Sequence, residues 1–161
     1  IIPNKIKTYN FHLSYLPKYR GRHPIHWGIL NGEKSFGISC HKVTKKIDNG
    51  PIIWRKKIYF KKKYLDFKYV KKNLLKLIPN NFFSKKFKEK NILFTGNYFR
   101  KIKSSDSRIL KLDFLNKEYL KRKIFLFSDT NFRCYIYKNK KKNFIKSYKN
   151  LYYLLKKNKI K

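Results

Sequence analysis

The sequence predicts an α/β domain followed by a small α+β appendage that contains a β-hairpin. Strand-like runs alternate with helical apolar spacing in the first part of the chain. Near the C-terminus, two aromatic runs flank a polar, lysine-rich turn. The chain has 161 residues, of which 42% are hydrophobic and 18% aromatic. That content is enough for one domain with a packed core.

Local patterns predict the elements of the first part. Residues 7–11 are rich in β-formers and predict a strand, which leads into a loop with Pro and Gly. Pro24 suits the first position of a helix that Gly32 would end. Residues 36–43 and 51–60 read as two strands joined by a turn with an Asn-Gly pair, so they should form a hairpin-like pair.

The rest of the chain is predicted to be mainly helical, with one hairpin. Helical apolar spacing covers residues 64–90, with a break at Pro79. The remaining predictions are a linker at 94–109, a helix at 116–127, a hairpin around 139–142 and a basic helical tail at 150–161. A boundary near Gly96 divides the chain into a domain at 1–95 and a linker with a small subdomain at 96–161.

The net charge of +35, from 43 Lys and Arg against 8 Asp and Glu, has two explanations. Residues 1–50 have nine basic and two acidic residues, a net of +7, whereas residues 51–161 have 34 and six, a net of +28. Lysine accompanies Asn, Ile, Tyr and Phe, as in proteins of AT-rich genomes. Selection for binding a polyanion such as RNA is the other explanation, since basic residues release counterions from phosphates.

The cysteines, the apolar runs and the first residues predict the cellular compartment of the protein and whether its N-terminus is present. Cys40 and Cys134 are too few and too far apart for a disulfide framework, so we expect reduced core residues and a cytoplasmic protein. No apolar run is long enough to cross a bilayer, and we expect no membrane partner. The sequence begins Ile-Ile and contains no Met, which predicts a fragment whose natural N-terminus is missing.

Three polar residues form a candidate catalytic group. Asn10 and His12 alternate on a strand, so their side chains point to one side of the sheet. Asp48 follows His12 by 36 positions and lies in the turn after the next strand. If the strands are neighbours, the three converge at the carboxyl end of the sheet, where open α/β sheets place sites.

These side chains suit acyl transfer. The amide of Asn10 and a protonated His12 can donate hydrogen bonds to a developing oxyanion, while Asp48 can orient the imidazole and help move a proton. No serine or cysteine is placed to act as the nucleophile. We therefore expect direct attack by a substrate amine rather than a covalent acyl-enzyme.

Two motifs resemble the folate-dependent formyltransferases. Residues 10–21, N-F-H-L-S-Y-L-P-K-Y-R-G, resemble the family's Asn-x-His-x-Ser-x-Leu-Pro loop. Residues 37–53, G-I-S-C-H-K-V-T-K-K-I-D-N-G-P-I-I, resemble its second motif. The match covers residues 1–59, and the agreement of two motifs at a fixed spacing makes it specific.

The resemblance implies an enzyme of one-carbon metabolism that transfers a formyl group from 10-formyltetrahydrofolate to a primary amine. It implies no metal. Asn10, His12 and Asp48 would be catalytic, and Ser14 would lie beside the acceptor. Arg20 and Arg22 would either contact an anionic acceptor or lie in a solvated loop. The folate would lie against the segment just before Asp48, which consists of Thr44, Lys45, Lys46 and Ile47.

The resemblance also implies that the chain holds the C-terminal part of a Rossmann-like formyltransferase domain. Leu13 and Tyr15 depart mildly from the family's usual Pro and Leu. In the family, several strands of the sheet precede the Asn-His loop, and here they would lie before Ile1. We therefore expect the chain not to turn over alone, and a homodimer is left open.

The acceptor is expected to be an amino sugar linked to a nucleotide, with initiator methionyl-tRNA as the alternative. The sequence R-G-R-H-P-I-H-W at 20–27 and the Tyr, Arg, Asp and Arg-Ile of residues 98–109 resemble both types of member. About 60 residues follow Gly96, fewer than the barrel of the tRNA enzymes would need, whereas sugar enzymes often carry a short hairpin. The charge favours tRNA.

The other histidines and the lysines have simpler interpretations. His23 and His26 have no Cys or carboxylate at a ligand spacing, so a surface role at a helix start is expected. His41 is expected to be structural, and Trp27 and Trp54 to lie in the core. The lysine runs read as solvated turns, and a non-catalytic, basic RNA-binding fragment is a remoter alternative that no RNA-binding motif supports.

Overall fold

The computed structural model describes residues 7–92, 96–128 and 132–156. The strands are β1 Tyr9–His12, β2 Arg20–Gly21, β3 Ser35–Lys42, β4 Ile52–Tyr59, β5 Tyr98–Phe99, β6 Tyr135–Lys138 and β7 Lys141–Phe144. The α-helices are α1 Pro24–Leu30, α2 Phe67–Leu75, α3 Lys117–Phe127 and α4 Tyr148–Lys156. Three 3₁₀ helices span Phe82–Ser84, Ser104–Ser107 and Lys111–Leu115. None of these helices is long and apolar enough to cross a membrane.

The main described sheet has three strands in the order β1-β3-β4, and both pairs are antiparallel. Strand β3 lies in the centre, and its residues Phe36 to His41 are all buried. Phe36 and Ile38 belong to the hydrophobic core, and α2 packs against this strand. Ser39 and His41 alternate with them and therefore face the other side of the sheet. The polar residues of β3 thus share one face.

One hydrophobic cluster joins the two halves of the chain. Ile29 of α1 and Val70 of α2 pack in the same cluster as Ile124 of α3 and Ile136 of β6. Helices α1 and α3 are in direct contact. The division into 1–95 and 96–161 stays a prediction, but the described parts of both segments share this core.

Most of the predicted elements are present. The strands predicted at 7–11, 36–43 and 51–60 and the helix that begins at Pro24 are observed with small shifts of their ends. Gly32 has a φ of 80°, as a residue just after a helix often does. The hairpin β6–β7 is also confirmed, with its turn at Asn139 and Lys140. The predicted tail at 150–161 is helical through Lys156, and its last residues lie outside the described part.

Two predictions were wrong in detail. The helical spacing over 64–90, with its expected break at Pro79, gives an α-helix only over Phe67–Leu75, and the part after Pro79 contains the 3₁₀ helix Phe82–Ser84 instead. The segment 94–109, expected to be a linker, contains β5 and a 3₁₀ helix, and β5 pairs in parallel with β2. Local patterns did not show this pairing because each of the two strands has only two residues.

The buried cysteines agree with the sequence. Cys40 and Cys134 are both free and buried, and burial raises the pKa of their thiols to about 11 and about 12 respectively. The expectation of two reduced core residues is therefore confirmed.

The shared core predicts a large cost for truncating α3. Leu120 is 1% exposed, whereas Leu112, in the 3₁₀ helix before α3, is 72% exposed. We expect Leu120→Ala to lower the free energy of unfolding by about 2–5 kcal/mol and Leu112→Ala by less than about 0.5 kcal/mol. Urea unfolding followed by circular dichroism measures both changes. Equal losses in the two variants would contradict a core that includes α3.

Candidate functional site

The register of β1 against β3 places four polar residues on one face of the sheet. Asn10 lies opposite His41, and His12 lies opposite Ser39. Directly opposed residues of antiparallel strands point to the same side. The Nδ2 atom of Asn10 is 3.3 Å from Nε2 of His41. Asn10 is exposed, whereas His12 and His41 are buried, so Asn10 is the residue of the group that solvent reaches.

Asp48 joins this group from the loop between β3 and β4. Its Oδ1 atom lies 3.3 Å from Nε2 of His41, and its Oδ2 atom lies 3.5 Å from Nδ1 of His12. The backbone N–H of Gly21 donates to Oδ2 at 3.1 Å. The carboxylate side chain is only 12% exposed. Asp48 therefore lies between the two imidazoles, with one oxygen facing each.

Backbone contacts fold the loop back onto the sheet. The N–H of Lys42 donates to the carbonyl of Pro51 at 2.9 Å, which closes the loop. A Cβ atom at Gly50 would overlap the carbonyl oxygen of Lys42, so only glycine fits at this close approach. Asp48 has a φ of 45°, a left-handed conformation that Asp tolerates better than most residues. Arg20 donates to the side-chain oxygen of Asn49 at 2.8 Å.

His12 is held from both sides. Its Nε2 lies 2.9 Å from the carbonyl oxygen of Tyr19, which can only accept a hydrogen bond, so Nε2 is the donor. Burial lowers the pKa of His12, and the Tyr19 carbonyl and the Asp48 carboxylate oppose that shift only in part. His12 is therefore mainly neutral near pH 7, with its proton on Nε2.

Asp48 is held in its ionised form. Burial disfavours its charge, but the hydrogen bond with His41, the neighbouring His12 and the N–H of Gly21 together outweigh burial. The pKa of Asp48 is consequently lowered below its ordinary value.

The loop after β1 is hydrogen-bonded to β3 next to the site residues. The hydroxyl of Ser39 donates to the carbonyl of Ser14 at 2.7 Å and accepts from the N–H of Leu16 at 3.0 Å. Ser14 donates to the carbonyl of Lys18 at 2.6 Å and is buried. The peptide bond between Leu16 and Pro17 is cis. These bonds fix the path by which the chain reaches the Tyr19 carbonyl that holds His12.

Residues beyond Gly96 also support the site. Strand β5 pairs with β2, and the N–H of Arg22 donates to the carbonyl of Phe99 at 2.8 Å. Gly21, the donor to Asp48, has a φ of 102° and lies so close to Phe99 that a Cβ would overlap its carbonyl oxygen. The segment expected to be a linker therefore helps to fix the amide that binds Asp48.

The three predicted residues meet in a different way from the one expected. Their spacing in the sequence predicts a shared carboxyl end of neighbouring strands. Strands β1 and β3 are neighbours but antiparallel, so their carboxyl ends lie at opposite edges. Asp48 reaches Asn10 and His12 because the loop returns across the face of the sheet.

His41 is the residue that the sequence argument missed. It was expected to be structural, and it is indeed 2% exposed, but it contacts both Asn10 and Asp48. His41 lies two residues after Ser39 on an alternating strand, and this spacing indicates that the two side chains share one polar face of β3. Only the register with β1 shows that this face is the one that carries Asn10 and His12.

The other predicted residues lie around the group. Thr44, Lys45, Lys46 and Ile47 are all exposed in the loop before Asp48, and Thr44 donates to the carbonyl of Lys46 at 3.1 Å. Arg22 is exposed. Arg20, as described above, is bonded to the Asp48 loop, and Ser14 is bonded within its own loop. Their roles in binding folate or acceptor stay predictions.

The described residues contain no group of three or more His, Cys, Asp or Glu that could hold a metal ion. His23 accepts a hydrogen bond from the N–H of Ile102, and the ring of His26 lies 4.7 Å from that of Phe67. His26 is thus more enclosed than the surface role expected for it. Trp27 and Trp54 are half-buried and pack against the core.

Comparison with known proteins decides the family. A sequence profile described as formyl transferase matches residues 3–85, which is 83 of the 161 residues. The chain belongs to the formyl transferase family. One relative of this chain is the bifunctional polymyxin resistance protein ArnA of Wigglesworthia glossinidia brevipalpis. The two are 51% identical over 49 residues, which is 30% of this chain and 8% of that protein.

Solved structures share the fold of this chain. The methionyl-tRNA formyltransferase of Clostridium thermocellum superposes with a TM-score of 0.70 at 24% identity, over 88% of this chain and 64% of that one. The N-formyltransferase of Helicobacter canadensis, in complex with folinic acid and dTDP-3-aminofucose, gives 0.61 at 22% identity, over 83% and 52%. The chain thus spans less than two thirds of each. The predicted family and the α/β fold class are confirmed.

The enclosed histidines predict that acid destabilises the protein. Burial, with a smaller contribution from His23, lowers the pKa of His26 to about 4, and its buried Nδ1 has no hydrogen-bond partner among the described residues. Between about pH 6.5, where an unfolded His titrates, and pH 4, the unfolded chain binds a proton that folded His26 excludes. Stability should therefore fall by about 1–2 kcal/mol over this range.

The variant His26→Phe keeps a ring against Phe67 and removes the titrating group. Urea unfolding at pH 7.5, 5.5 and 4.5 should show a smaller loss for the variant than for the wild type, with pH 7.5 as the control for packing. An equally steep fall in both proteins would contradict the assignment to His26. Some slope should persist, because burial lowers the pKa of His12 and His23 as well.

Proposed function

We propose that the chain carries the acyl-transfer site of an N-formyltransferase that moves a formyl group from 10-formyltetrahydrofolate to a primary amine. The observation that carries the proposal is the contact of Asp48 with two imidazoles beside the exposed amide of Asn10. An ionised carboxylate, a buried imidazole and an accessible amide donor are the groups that this transfer needs. The family supports the same reaction class.

Each side chain has a role that follows from its position. Asn10 is exposed, so its amide can donate to the oxygen of a bound formyl group as that oxygen gains negative charge. Asp48 is ionised, so it can accept the proton that the attacking amine loses. Nδ1 of His12 lies 3.5 Å from Oδ2 of Asp48, so the imidazole can share the proton that Asp48 accepts. Donation by His12 to the formyl oxygen would require its bond to Tyr19 to be exchanged.

The donor is proposed to lie along residues 44–47. These residues are exposed and directly precede Asp48, so a ligand there would be next to the carboxylate. The Helicobacter canadensis N-formyltransferase, which shares the fold, is described in complex with folinic acid. When bound, 10-formyltetrahydrofolate would supply the activated formyl group, and this chain would supply the groups that orient it and move the proton.

The acceptor is proposed to be an amino sugar linked to a nucleotide. The hairpin β6–β7 supports this acceptor, because the chain resembles sugar-modifying members that carry a short hairpin appendage. Arg20 lies on β2 and Arg22 follows that strand, beside the loop that carries Asp48, where they could contact the phosphates of such a substrate. The Helicobacter canadensis protein is described in complex with dTDP-3-aminofucose.

One observation favours initiator methionyl-tRNA as a second candidate. Residues 132–156 contain eight Lys and Arg and no Asp or Glu. On one face of the hairpin, Tyr137 and Phe144 are 52% and 51% exposed, and cations lie over their rings: Arg108 over Tyr137 at 4.9 Å and Lys142 over Phe144 at 5.1 Å. Exposed rings with neighbouring cations can stack on RNA bases.

The proposal includes a cytoplasmic protein, since both thiols are free and buried, and it includes no membrane partner. The proposal also includes a homodimer. Analytical ultracentrifugation, which measures the mass of the assembly, tests it.

Two assays separate the acceptors. If the acceptor is a nucleotide-linked amino sugar, the complete protein should formylate it at the same rate with and without added RNA, and Tyr137→Ala should leave that rate unchanged. If it is methionyl-tRNA, Tyr137→Ala should weaken tRNA binding by about tenfold, and the affinity should fall steeply with salt. Phe83→Ala, which removes another exposed ring (90%), is the matched control. Formylation of the charged tRNA alone would reject the sugar assignment.

Removing either His12 or Asp48 tests the reaction itself. We expect His12→Ala and Asp48→Ala in the complete protein to lower formyl transfer at least about a hundredfold, while circular dichroism shows a retained fold. His23→Ala is the matched control, since His23 lies outside the group and should leave the rate near that of the wild type. Near-normal activity in either site variant would overturn the assignment.

A further inference from the structure

We propose that Tyr19 is a positioning residue for formyl transfer: its side chain fixes the backbone carbonyl that keeps the proton of His12 on Nε2, and so leaves Nδ1 of His12 open toward Asp48. The proposal deepens the proposed formyl transfer and, for its functional consequence, rests on it. Its structural part concerns where one imidazole carries its proton, which can be measured without a substrate.

The imidazole of His12 lies between two acceptors that compete for its proton. Its Nε2 atom lies 2.9 Å from the carbonyl oxygen of Tyr19, and its Nδ1 atom lies 3.5 Å from Oδ2 of Asp48. Only the first distance falls within the ordinary range of an N–H···O hydrogen bond, about 2.7–3.2 Å. Because burial lowers the pKa of His12, the ring is mainly neutral near pH 7 and carries one proton. The geometry places that proton on Nε2.

The competition would have the opposite outcome without the Tyr19 carbonyl. An ionised carboxylate is a stronger hydrogen-bond acceptor than a neutral carbonyl. The pKa of Asp48 is lowered, so its carboxylate is ionised. If the carbonyl moved away from Nε2, a proton on Nδ1 of His12 could donate to Oδ2 of Asp48. The position of one carbonyl oxygen therefore selects the tautomer of His12.

The tautomer decides whether His12 can take part in the proposed proton transfer. With its proton on Nε2, His12 presents the lone pair of Nδ1 to Asp48. Asp48 and His12 would then hold the one proton that the attacking amine releases as it bonds to the formyl carbon, until the donor nitrogen takes it up as its bond to that carbon breaks. With a proton already on Nδ1, His12 offers no free site beside Asp48.

The backbone conformation of Tyr19 depends on contacts of its side chain. Tyr19 has a φ of 56°, a left-handed conformation that is uncommon for a bulky residue. Such conformations persist where the surrounding structure holds them. The ring of Tyr19 stacks on that of Phe99, with the ring centroids 4.9 Å apart and the planes at 30°. Phe99 belongs to β5, which pairs with β2 directly after Tyr19.

The hydroxyl of Tyr19 ties the same ring to the segment after α1. It donates to Oε1 of Glu33 at 3.0 Å and accepts from Nδ2 of Asn31 at 3.2 Å. Burial, with a smaller contribution from the charge of Glu33, raises the pKa of Tyr19 to about 12, so the hydroxyl stays protonated and can donate. The ring is therefore held on its face by Phe99 and at its hydroxyl by two polar side chains.

Backbone bonds next to Tyr19 are the competing explanation for the position of its carbonyl. Ser14 donates to the carbonyl of Lys18, and Arg20 pairs with Tyr98. If these bonds alone fix the peptide after Tyr19, removal of the ring would leave the imidazole tautomer unchanged. Substitution at Tyr19 therefore distinguishes the side chain from the backbone.

The direct test is ¹⁵N nuclear magnetic resonance of the imidazole rings in the full chain at pH 8, where His12 carries one proton. We expect Nε2 of His12 to be protonated in the wild type. In Tyr19→Ala, the ratio of the Nε2–H form to the Nδ1–H form should fall by about tenfold, which is the effect of losing one hydrogen bond. A wild-type ratio in Tyr19→Ala would overturn the proposal.

The variant Tyr64→Ala is the matched control, because Tyr64 makes the same kinds of contact outside the site. Its hydroxyl donates to Oε2 of Glu118 at 3.4 Å, and its ring lies 5.9 Å from that of Phe125. This variant should keep the wild-type ratio of tautomers. A change as large as that in Tyr19→Ala would contradict the assignment, because the loss of any tyrosine ring would then move the proton.

Two milder substitutions test the hydroxyl. Tyr19→Phe keeps the stacking on Phe99 but loses the bond to Glu33, and Glu33→Ala loses the same bond from the other side. Each should lower the tautomer ratio by less than Tyr19→Ala does. Glu33→Ala should change nothing further in a chain that already carries Tyr19→Phe, since the bond is then absent. Additive effects, or wild-type ratios in both variants, would contradict this part of the proposal.

Steady-state kinetics of the complete protein test the consequence for formyl transfer. Tyr19→Ala should lower kcat by about ten- to a hundredfold, while KM for the formyl donor changes by less than about twofold. The reason is that Tyr19 acts on a proton and not on binding. Tyr64→Ala should leave both values near those of the wild type. A raised KM with an unchanged kcat would indicate lost binding and would overturn the positioning role.

The two proposals fail in different ways. If Tyr19→Ala moves the proton of His12 but the wild type shows no formyl transfer, the proposed function fails and the positioning by Tyr19 stands. If the wild type transfers the formyl group while Tyr19→Ala keeps the wild-type tautomer, the role of Tyr19 fails and the proposed function stands.

Discussion

The antiparallel register of β1 against β3 is the constraint on which the site depends. It sets Asn10 against His41 and His12 against Ser39, so the polar side chains of two strands share one face. Because side chains alternate along a strand, a slip of one residue would turn this set into the hydrophobic core. The buried Phe36 and Ile38 on the opposite face resist such a slip. The core thus fixes the position of the site.

The loops add the parts that the strands cannot supply. Asp48 lies beyond the end of β3 and reaches the face only because its loop closes against Lys42 and its carboxylate accepts from Gly21. Gly21 is held by β5, which comes from the segment after Gly96. Arg100, next to β5, forms a bidentate ion pair with Asp106, and its guanidinium lies over the ring of Trp27. Segments far apart in the chain therefore support one carboxylate.

The electrostatics of the site are local despite a net charge of +35. Salt screens exposed lysines beyond about 8–10 Å, whereas the groups around Asp48 lie within 3.5 Å. His41 contacts both Asn10 and Asp48 at 3.3 Å, so these short contacts, rather than the distant lysines, set the electrostatics of the site.

The sequence by itself determined the family, the order of most elements and the three polar residues proposed for the chemistry, because these depend on local patterns and on two motifs at a fixed spacing. The tertiary structure alone decided that β1 and β3 are antiparallel, that His41 belongs with Asn10 and Asp48, and that β5 supports the site. It also shortened the helix before Pro79. These features depend on register and loop closure between distant residues, and such pairings leave no local periodic pattern that a single sequence can show.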